Sequence, residues 1–174
     1  NSIQSGKTVY GTLITSTSPK MFDQAVNLGL DYVFFCNEHI FYNPESLGWM
    51  CRAYRAAGIN PVVRILEPDP FLATQALDSG ARAILVPYIE NIEDVYELIG
   101  AVKYRPLKGS KLKKVLYGDE KPSAELESYL KDYNKNHSLL LNIESSSAVK
   151  NMDDFFSIEY IDGPAVDGII IGPH

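Results

Sequence analysis

Short apolar runs alternate with segments of helical character along most of the chain. The runs predict six strands, at 10–14, 32–36, 61–65, 83–86, 139–143 and 168–171. Helix starts between them carry a capping side chain followed by proline, as at Asn43 with Pro44 and at Asp69 with Pro70. The predicted helices are 19–28, 44–57, 70–80, 92–102, 123–133 and 145–152.

Strands that alternate with helices indicate a mostly parallel sheet covered by helices. The nearly continuous apolar character of the strands indicates burial on both faces. A doubly wound sheet and a TIM (β/α)8 barrel both fit this pattern. Polar residues follow several different strands, which favours the barrel, because a doubly wound sheet would gather them at one switch point. The chain also lacks a glycine-rich nucleotide-binding motif.

The chain is short for a complete TIM barrel. Six strand–helix units account for nearly all 174 residues, whereas a barrel needs eight units and typically about 250 residues. We therefore predict that residues 1–174 form a single TIM-barrel domain comprising roughly the first six units and lacking its C-terminal part.

Charge, hydropathy and cysteine content limit the partners and the cellular setting that we expect. A net charge of −6 argues against a nucleic-acid partner, because such proteins carry basic stripes. No apolar run approaches the roughly 20 residues of a membrane span, so no membrane partner is expected. Cys36 and Cys51 fall in a strand-like and a helix-like run, which predicts free thiols and a cytoplasmic setting.

The lysine-rich stretch 108–114 is predicted to be a solvated loop rather than a phosphate site.

One buried strand ends in an unusual polar pair. Residues 32–41 read YVFFCNEHIF, so Glu38 and His39 follow the apolar run directly. From these residues alone, a pair satisfied by backbone groups and a functional pair are equally open. Arg64 ends the next strand, and its simplest structural partners are Glu67 and Asp69.

Six segments, in order, carry a resemblance to a known family. They are VYGTLITSTSP, LDYVFFCNEHIF, PVVRILEPDP, ALDSGARAILVPYIEN, LLLNIES and VDGIIIGPH. Together they resemble the HpcH/HpaI family of class II, metal-dependent pyruvate aldolases. The resemblance implies a TIM barrel that assembles as a homo-oligomer, often a hexamer built as a trimer of dimers.

The resemblance also implies roles for individual residues. His39 matches the catalytic acid/base, and Asp78 matches the aspartate that pairs with it. Arg64 matches the arginine that binds the oxo-acid end of the substrate and stabilises the enolate. Glu144 matches one of two carboxylates that hold a divalent metal (Mg²⁺, Mn²⁺ or Co²⁺); from the residues alone, it could instead cap the following helix.

The last segment matches the family, whereas one residue near the end of the second strand departs from it. Gly172 and Pro173 match the turn that lines the substrate and metal pocket. Cys36 stands where the family carries an aspartate near the catalytic arginine. This change predicts that Arg64 lacks an acidic partner and that the choice of substrate differs.

The resemblance implies a carbon–carbon lyase that reversibly cleaves a 4-hydroxy-2-oxo acid into pyruvate and an aldehyde. Lys103 and Lys108 lie in loop-like sequence, which favours a metal over a Schiff base. Two alternatives stay open. One is a lyase or synthase of the same superfamily that acts on a citrate-like or CoA-thioester substrate. The other is a degenerate, non-catalytic domain that binds an oxo acid.

Overall fold

A computed structural model describes residues 7–161 and 163–172. The main-sheet strands are β1 Gly11–Leu13, β2 Tyr32–Cys36, β3 Asn60–Arg64, β4 Ala83–Val86, β5 Ser138–Ile143 and β8 Gly168–Ile171. A small antiparallel pair is formed by β6 Glu159–Tyr160 and β7 Gly163–Pro164. The helices are α1 Pro19–Asn27, α2 Pro44–Ala56, α3 Pro70–Ser79, α4 Ile92–Lys103, α5 Gly109–Leu116, α6 Ala124–Asn134, α7 Ser146–Lys150 and α8 Met152–Ser157.

The main sheet is parallel and keeps the order of the chain. Its six strands pair as β1-β2-β3-β4-β5-β8, so strand order never reverses. A doubly wound sheet needs such a reversal, and that alternative is therefore wrong. The sheet is curled into a half-barrel, and the predicted α/β class is confirmed. Within the described residues, no helix has both the length and the apolar character needed to span a membrane.

Alternation along the strands decides which residues face the helices. Phe35 and Val63 are fully buried in the core between sheet and helices. Their neighbours Cys36 and Arg64 are directly opposite each other in the β2–β3 pairing. Because successive side chains point to opposite faces, Cys36 and Arg64 lie on the inner face of the curled sheet. On β5 the same alternation places Asn142 on that inner face.

Most predicted elements are confirmed to within a few residues, but the lysine-rich stretch is not. The structure shows helix α5 where a solvated loop was predicted. Leu112 and Leu116 lie beside Gly100 of α4, where an added Cβ would come within 3.4 Å of both side chains. The lysines occupy the remaining surface of the helix. Because they dominate this segment, it was predicted to be a loop, although its leucines form a short apolar stripe with helical spacing.

The segment after β5 also differs from the prediction. One helix was predicted over 145–152, whereas α7 and α8 divide at Asn151. Ser145 caps α7 by accepting a hydrogen bond from the backbone N–H of Ala148 at 3.1 Å. The strands β6 and β7 have only two residues each, too few to produce a readable alternation.

Lys103 was predicted in loop-like sequence, but it is the buried last residue of α4. Its Nζ lies 2.6 Å from Asp167 Oδ2 and donates to the carbonyl of His137 at 3.1 Å. Asp167 and His137 immediately precede β8 and β5, so this ion pair lies at the amino ends of the strands. It connects α4 to the amino ends of the strands, whereas Arg64 lies at their carboxyl ends.

The Lys103–Asp167 pair predicts a large effect on stability. Asp167→Ala leaves an ammonium that is only 4% exposed without its carboxylate, and also removes an acceptor of the Leu139 N–H at 2.7 Å. We expect the free energy of unfolding to fall by roughly 3 kcal/mol in urea denaturation.

The matched control for this prediction is Asp132→Ala. That carboxylate also pairs with a lysine, Lys135, but its side chain is 81% exposed. Exposed pairs contribute about 0–1 kcal/mol, so the control should unfold almost like the unaltered protein. Equal losses in the two variants would contradict the assigned role of the buried pair.

Candidate active site

The carboxyl ends of the strands bring the charged residues together. Glu38 and His39 follow β2, Arg64 ends β3, Tyr88 follows β4 and Glu144 follows β5. Parallel strands place these ends at one edge of the sheet, which is where barrel enzymes carry their chemistry. Side chains far apart in the sequence thus meet on the inner face.

Arg64 is shared by two carboxylates at the centre of the site. Its Nη2 lies 2.7 Å from Glu38 Oε2 and 2.9 Å from Glu144 Oε1. It also donates to Glu144 Oε2 at 3.2 Å. The three side chains are only 9–11% exposed. Buried charges need partners, and here one guanidinium serves two acids.

These contacts correct two predictions about Arg64. Its acidic partners are Glu38 and Glu144, rather than Glu67 or Asp69. The expectation that Cys36 would leave Arg64 without an acidic partner is also wrong, because acids from β2 and β5 reach it from either side. Sequence reasoning missed this arrangement since it compared the arginine with neighbours along the chain rather than across the sheet.

His39 lies at the mouth of the site. Its Nε2 is 3.7 Å from Glu38 Oε2, and its side chain is 67% exposed. The ring therefore borders the buried ion pairs while remaining open to solvent. An imidazole in this position can exchange a proton with a bound molecule and with water.

Tyr88 contributes to the site and was missed by the sequence analysis. Its backbone N–H donates to Glu144 Oε2 at 3.3 Å, and its hydroxyl donates to Glu38 Oε1. The hydrogen bond to Glu38 raises the pKa of the Tyr88 phenol. Tyr88 has φ of 55°, a conformation that costs a non-glycine residue about 1–3 kcal/mol. The only signal in the sequence was its position just after β4.

Gly172 lies against the carboxylate of Glu144. A Cβ added at position 172 would come within 2.7 Å of Glu144 Cγ and 2.9 Å of its Oε1. Any other residue would therefore displace that carboxylate. The backbone N–H of Gly172 donates to the carbonyl of Ile143 at 3.0 Å. Pro173, which was predicted to line the pocket with Gly172, lies outside the described residues.

Asp78 does not join this site within the chain. It is near the carboxyl end of α3, and its Oδ1 lies 2.6 Å from Arg105 Nη2. Its backbone carbonyl accepts a hydrogen bond from Arg52 at 3.2 Å. Because α3 runs antiparallel to the strands, its carboxyl end lies toward the opposite edge of the sheet. The predicted pairing of Asp78 with His39 is therefore wrong for a single copy of the chain.

The residues at the site fit a divalent cation. Glu38 and Glu144 together carry one more formal negative charge than Arg64 offsets. Buried oxygen atoms without a hydrogen-bond partner among the described residues include Glu38 Oε2 and Asn142 Oδ1, both on this face of the sheet. Hard oxygen ligands suit Mg²⁺ or Mn²⁺. Glu144 belongs to the same group of carboxylates, and the absence of a side chain at Gly172 leaves room for its carboxylate.

Two curated relatives of this chain are named for the same enzyme activity. The chain is 32% identical to 2-keto-3-deoxy-L-rhamnonate aldolase of Klebsiella pneumoniae, over 97% of this chain and 61% of that protein. It is 27% identical to the protein of that name from Salmonella gallinarum, over 98% of this chain and 62% of that protein. The chain thus spans less than two thirds of the length of these relatives.

Solved structures show the same likeness. An HpcH/HpaI aldolase from Desulfitobacterium hafniense superposes with a TM-score of 0.78 and 25% identity, over 99% of this chain and 64% of that one. The citrate synthase SbnG superposes with a TM-score of 0.77 and 27% identity, over 98% and 63%. The model of the HpcH/HpaI aldolase/citrate lyase family matches residues 10–174. The chain therefore belongs to the HpcH/HpaI aldolase/citrate lyase family.

Proposed function

We propose that the protein is a metal-dependent lyase that reversibly cleaves a 4-hydroxy-2-oxo acid into pyruvate and an aldehyde. The observation that carries the proposal is the Arg64 guanidinium held between Glu38 and Glu144, with His39 at the mouth of the site. The names of the relatives favour a 3-deoxy-2-oxo sugar acid as the substrate. The six parallel strands are proposed to be part of a TIM (β/α)8 barrel.

Arg64 supplies a fixed positive charge where the oxo acid binds. Two carboxylates and the inner face of the sheet hold its position, so little reorganisation accompanies the reaction. When the bond between C3 and C4 breaks, its electron pair passes into the oxo-acid fragment and its oxygen gains negative charge. A guanidinium beside that oxygen stabilises the developing charge more than it stabilises the neutral substrate.

His39 is placed to move the proton that cleavage requires. The neutral ring accepts the proton of the 4-hydroxyl group as the C3–C4 bond breaks, and the aldehyde leaves. The enolate then takes at C3 the proton that His39 holds, directly or through water, which completes pyruvate and returns the ring to its neutral form. In the synthetic direction His39 returns its proton to the new hydroxyl group. Its exposed ring suits this part of the substrate, because the aldehyde portion extends toward solvent.

A divalent cation is proposed as the cofactor, with Glu144 as the ligand that this chain contributes. When bound, the cation would supply Lewis-acid polarisation of the 2-oxo group. Tyr88 and Gly172 orient Glu144, through a backbone hydrogen bond at 3.3 Å and through the room left by the missing side chain. Tyr88 also holds Glu38, so a single residue fixes both acids that flank Arg64.

We also propose that the protein is a homo-oligomer that docks through the face formed by α2 and α3. The helices carry Trp49 and Phe71, which are 40% and 84% exposed. The loops that lead into them add Phe41 and Leu66, which are 92% and 48% exposed. A groove of about 600 Å³ runs between the two helices, lined by Trp49 and Phe71 among others. Exposed aromatic patches of this kind mark association surfaces, and a second copy is the occupant that the family resemblance favours.

A citrate-forming condensation is the second candidate, favoured by the structural likeness to SbnG. The same arginine would then stabilise an oxo acid during bond formation. The two candidates differ in their products. An aldolase releases pyruvate from a 4-hydroxy-2-oxo acid, whereas the synthase would consume an oxo acid and produce a tricarboxylate.

The first test is metal-dependent pyruvate release. The intact mass of the natively expressed protein is recorded, and the same sample is given a 4-hydroxy-2-oxo acid with Mg²⁺ or Mn²⁺ and then with chelator. Arg64→Lys keeps a positive charge but cannot reproduce the geometry of the guanidinium. We expect it to lower kcat about 100- to 1,000-fold, as measured by pyruvate release.

Arg55→Lys is the matched control, because Arg55 is an exposed arginine in the last turn of α2. It should leave turnover unchanged. Turnover that survives chelation, or equal activity of Arg64→Lys and the control, would exclude the proposed chemistry. Citrate formation without pyruvate release would select the second candidate.

His39→Ala tests the acid/base role separately. Removing a general acid/base should slow retro-aldol turnover about 100- to 10,000-fold and leave Mg²⁺ or Mn²⁺ binding nearly unchanged. Turnover and metal affinity are measured on the same preparation. Unchanged turnover would remove His39 from the mechanism, and an equal loss of activity and metal affinity would make it a ligand instead.

Light scattering tests the oligomer. The measured mass should be a multiple of the protomer mass, and Phe71→Glu should reduce it by placing a charge on the apolar face. Tyr117→Glu is the control, because Tyr117 is 59% exposed and follows α5, outside the α2–α3 face. A monomeric unaltered protein would contradict the proposal, as would the same change of mass in both variants.

A further inference from the structure

A second set of metal-binding side chains lies at the end of β2. Cys36, Glu38 and His39 offer a sulfur, a carboxylate oxygen and an imidazole nitrogen, all within 4.8 Å of one another. The chain turns there, and the N–H of Ile40 donates to the carbonyl of Cys36 at 3.0 Å. This turn brings three residues that are close in sequence around one point.

The Glu38 carboxylate provides an independent indication of a ligand. Its side chain is nine-tenths buried, and Oε2 has no hydrogen-bond partner within the described ranges. This oxygen lies 2.7 Å from Arg64 Nη2, without the alignment of a hydrogen bond, and 3.7 Å from His39 Nε2. The other oxygen accepts from the hydroxyl of Tyr88. One buried carboxylate oxygen thus lies between the Arg64 guanidinium and the imidazole, in an ion pair with the first but without a hydrogen bond among the described residues.

The charges permit a cation at this point. Arg64 makes its second ion pair with Glu144, so it does not fully offset Glu38. A bound metal also displaces the proton of a cysteine thiol, which adds a further negative charge. The Cys36 thiolate and the Glu38 carboxylate carry two negative charges, which a single divalent cation offsets, while Arg64 and Glu144 offset each other.

We propose that Cys36, Glu38 and His39 form a site for a thiophilic divalent cation such as Zn²⁺ or Co²⁺. A sulfur ligand favours these ions over Mg²⁺, which prefers oxygen. Tetrahedral zinc geometry needs ligand atoms about 3.5 Å apart. Rotation of the exposed His39 ring can bring its nitrogen that close to the sulfur and carboxylate. Three protein ligands leave the fourth position for water or a bound molecule.

Occupancy of this site has a consequence for activity that rests on the proposed function. The lone pair of the His39 nitrogen that binds the metal can no longer accept a proton. Zn²⁺ should therefore inhibit an enzyme that Mg²⁺ supports. Binding of the thiophilic ion itself does not depend on that function and is measured without substrate.

The test is titration of metal-free, natively expressed protein with Co²⁺, followed by absorption. Coordination by Cys36 should produce a thiolate-to-cobalt charge-transfer band. Cys36→Ser should remove the band, and Cys51→Ser should retain it. Cys51 is a matched control because it is fully buried in α2 and its burial raises its thiol pKa to about 12.

His39→Gln keeps the test decisive if Cys36→Ser fails to fold, because the His39 side chain is mostly exposed. Loss of even an outer-shell group weakens metal binding about 10- to 100-fold, so loss of this ligand should raise the Co²⁺ Kd at least tenfold. A missing charge-transfer band in the unaltered protein would overturn the site. So would a band lost in Cys51→Ser, or a Kd unchanged in His39→Gln. Mg²⁺-dependent turnover, measured separately, reports on the proposed function alone.

Discussion

The ion pairs of Arg64 are the interaction on which the site depends. A guanidinium that is 11% exposed lies between two carboxylates that are 10% and 9% exposed. Removing one acid would leave a buried charge poorly compensated, which is costly in a low-dielectric interior. The mutual dependence fixes the carboxyl ends of β2, β3 and β5 relative to each other. The positive charge of Arg64 is therefore held in a fixed position, as the proposed stabilisation of an enolate requires.

The regular alternation of the strands makes this arrangement possible. In β2, β3 and β5, one set of side chains packs against the helices and forms the core, while the next residue points to the inner face. Val63 therefore sits in the apolar core and Arg64 in the polar site, although they are adjacent in the sequence. At the amino ends of the strands, the buried Lys103 forms an ion pair with Asp167 and joins α4 to β8. The ion pairs of Arg64 thus lie at the carboxyl ends of the strands, and the pair that anchors α4 lies at their amino ends.

Strands with continuous apolar character and helices with proline caps were predictable from local sequence, because short-range preferences determine them. The partners of Arg64 were not, since Glu38 and Glu144 approach from the ends of β2 and β5, other strands of the sheet that are distant in the sequence. Tyr88 could not be recognised, because both its contacts, a backbone N–H to Glu144 and a hydroxyl to Glu38, join it to residues that are distant in the sequence. The role assigned to Asp78 came from resemblance alone, and local sequence could not show that its position at the end of α3 gives it Arg105 as a partner within one copy of the chain.

Cys36 alters the balance of charge at the centre. An aspartate there, as in the family that the sequence resembles, would add a permanent third carboxylate beside one guanidinium. A cysteine adds negative charge only when its proton leaves, and a thiophilic cation promotes that loss. Glu38 and His39 belong both to the surroundings of Arg64 and to the proposed set of soft-metal ligands. Under the two proposals, one nitrogen of His39 would either hold a metal or accept a proton, so the identity of the available cation would decide which role it performs.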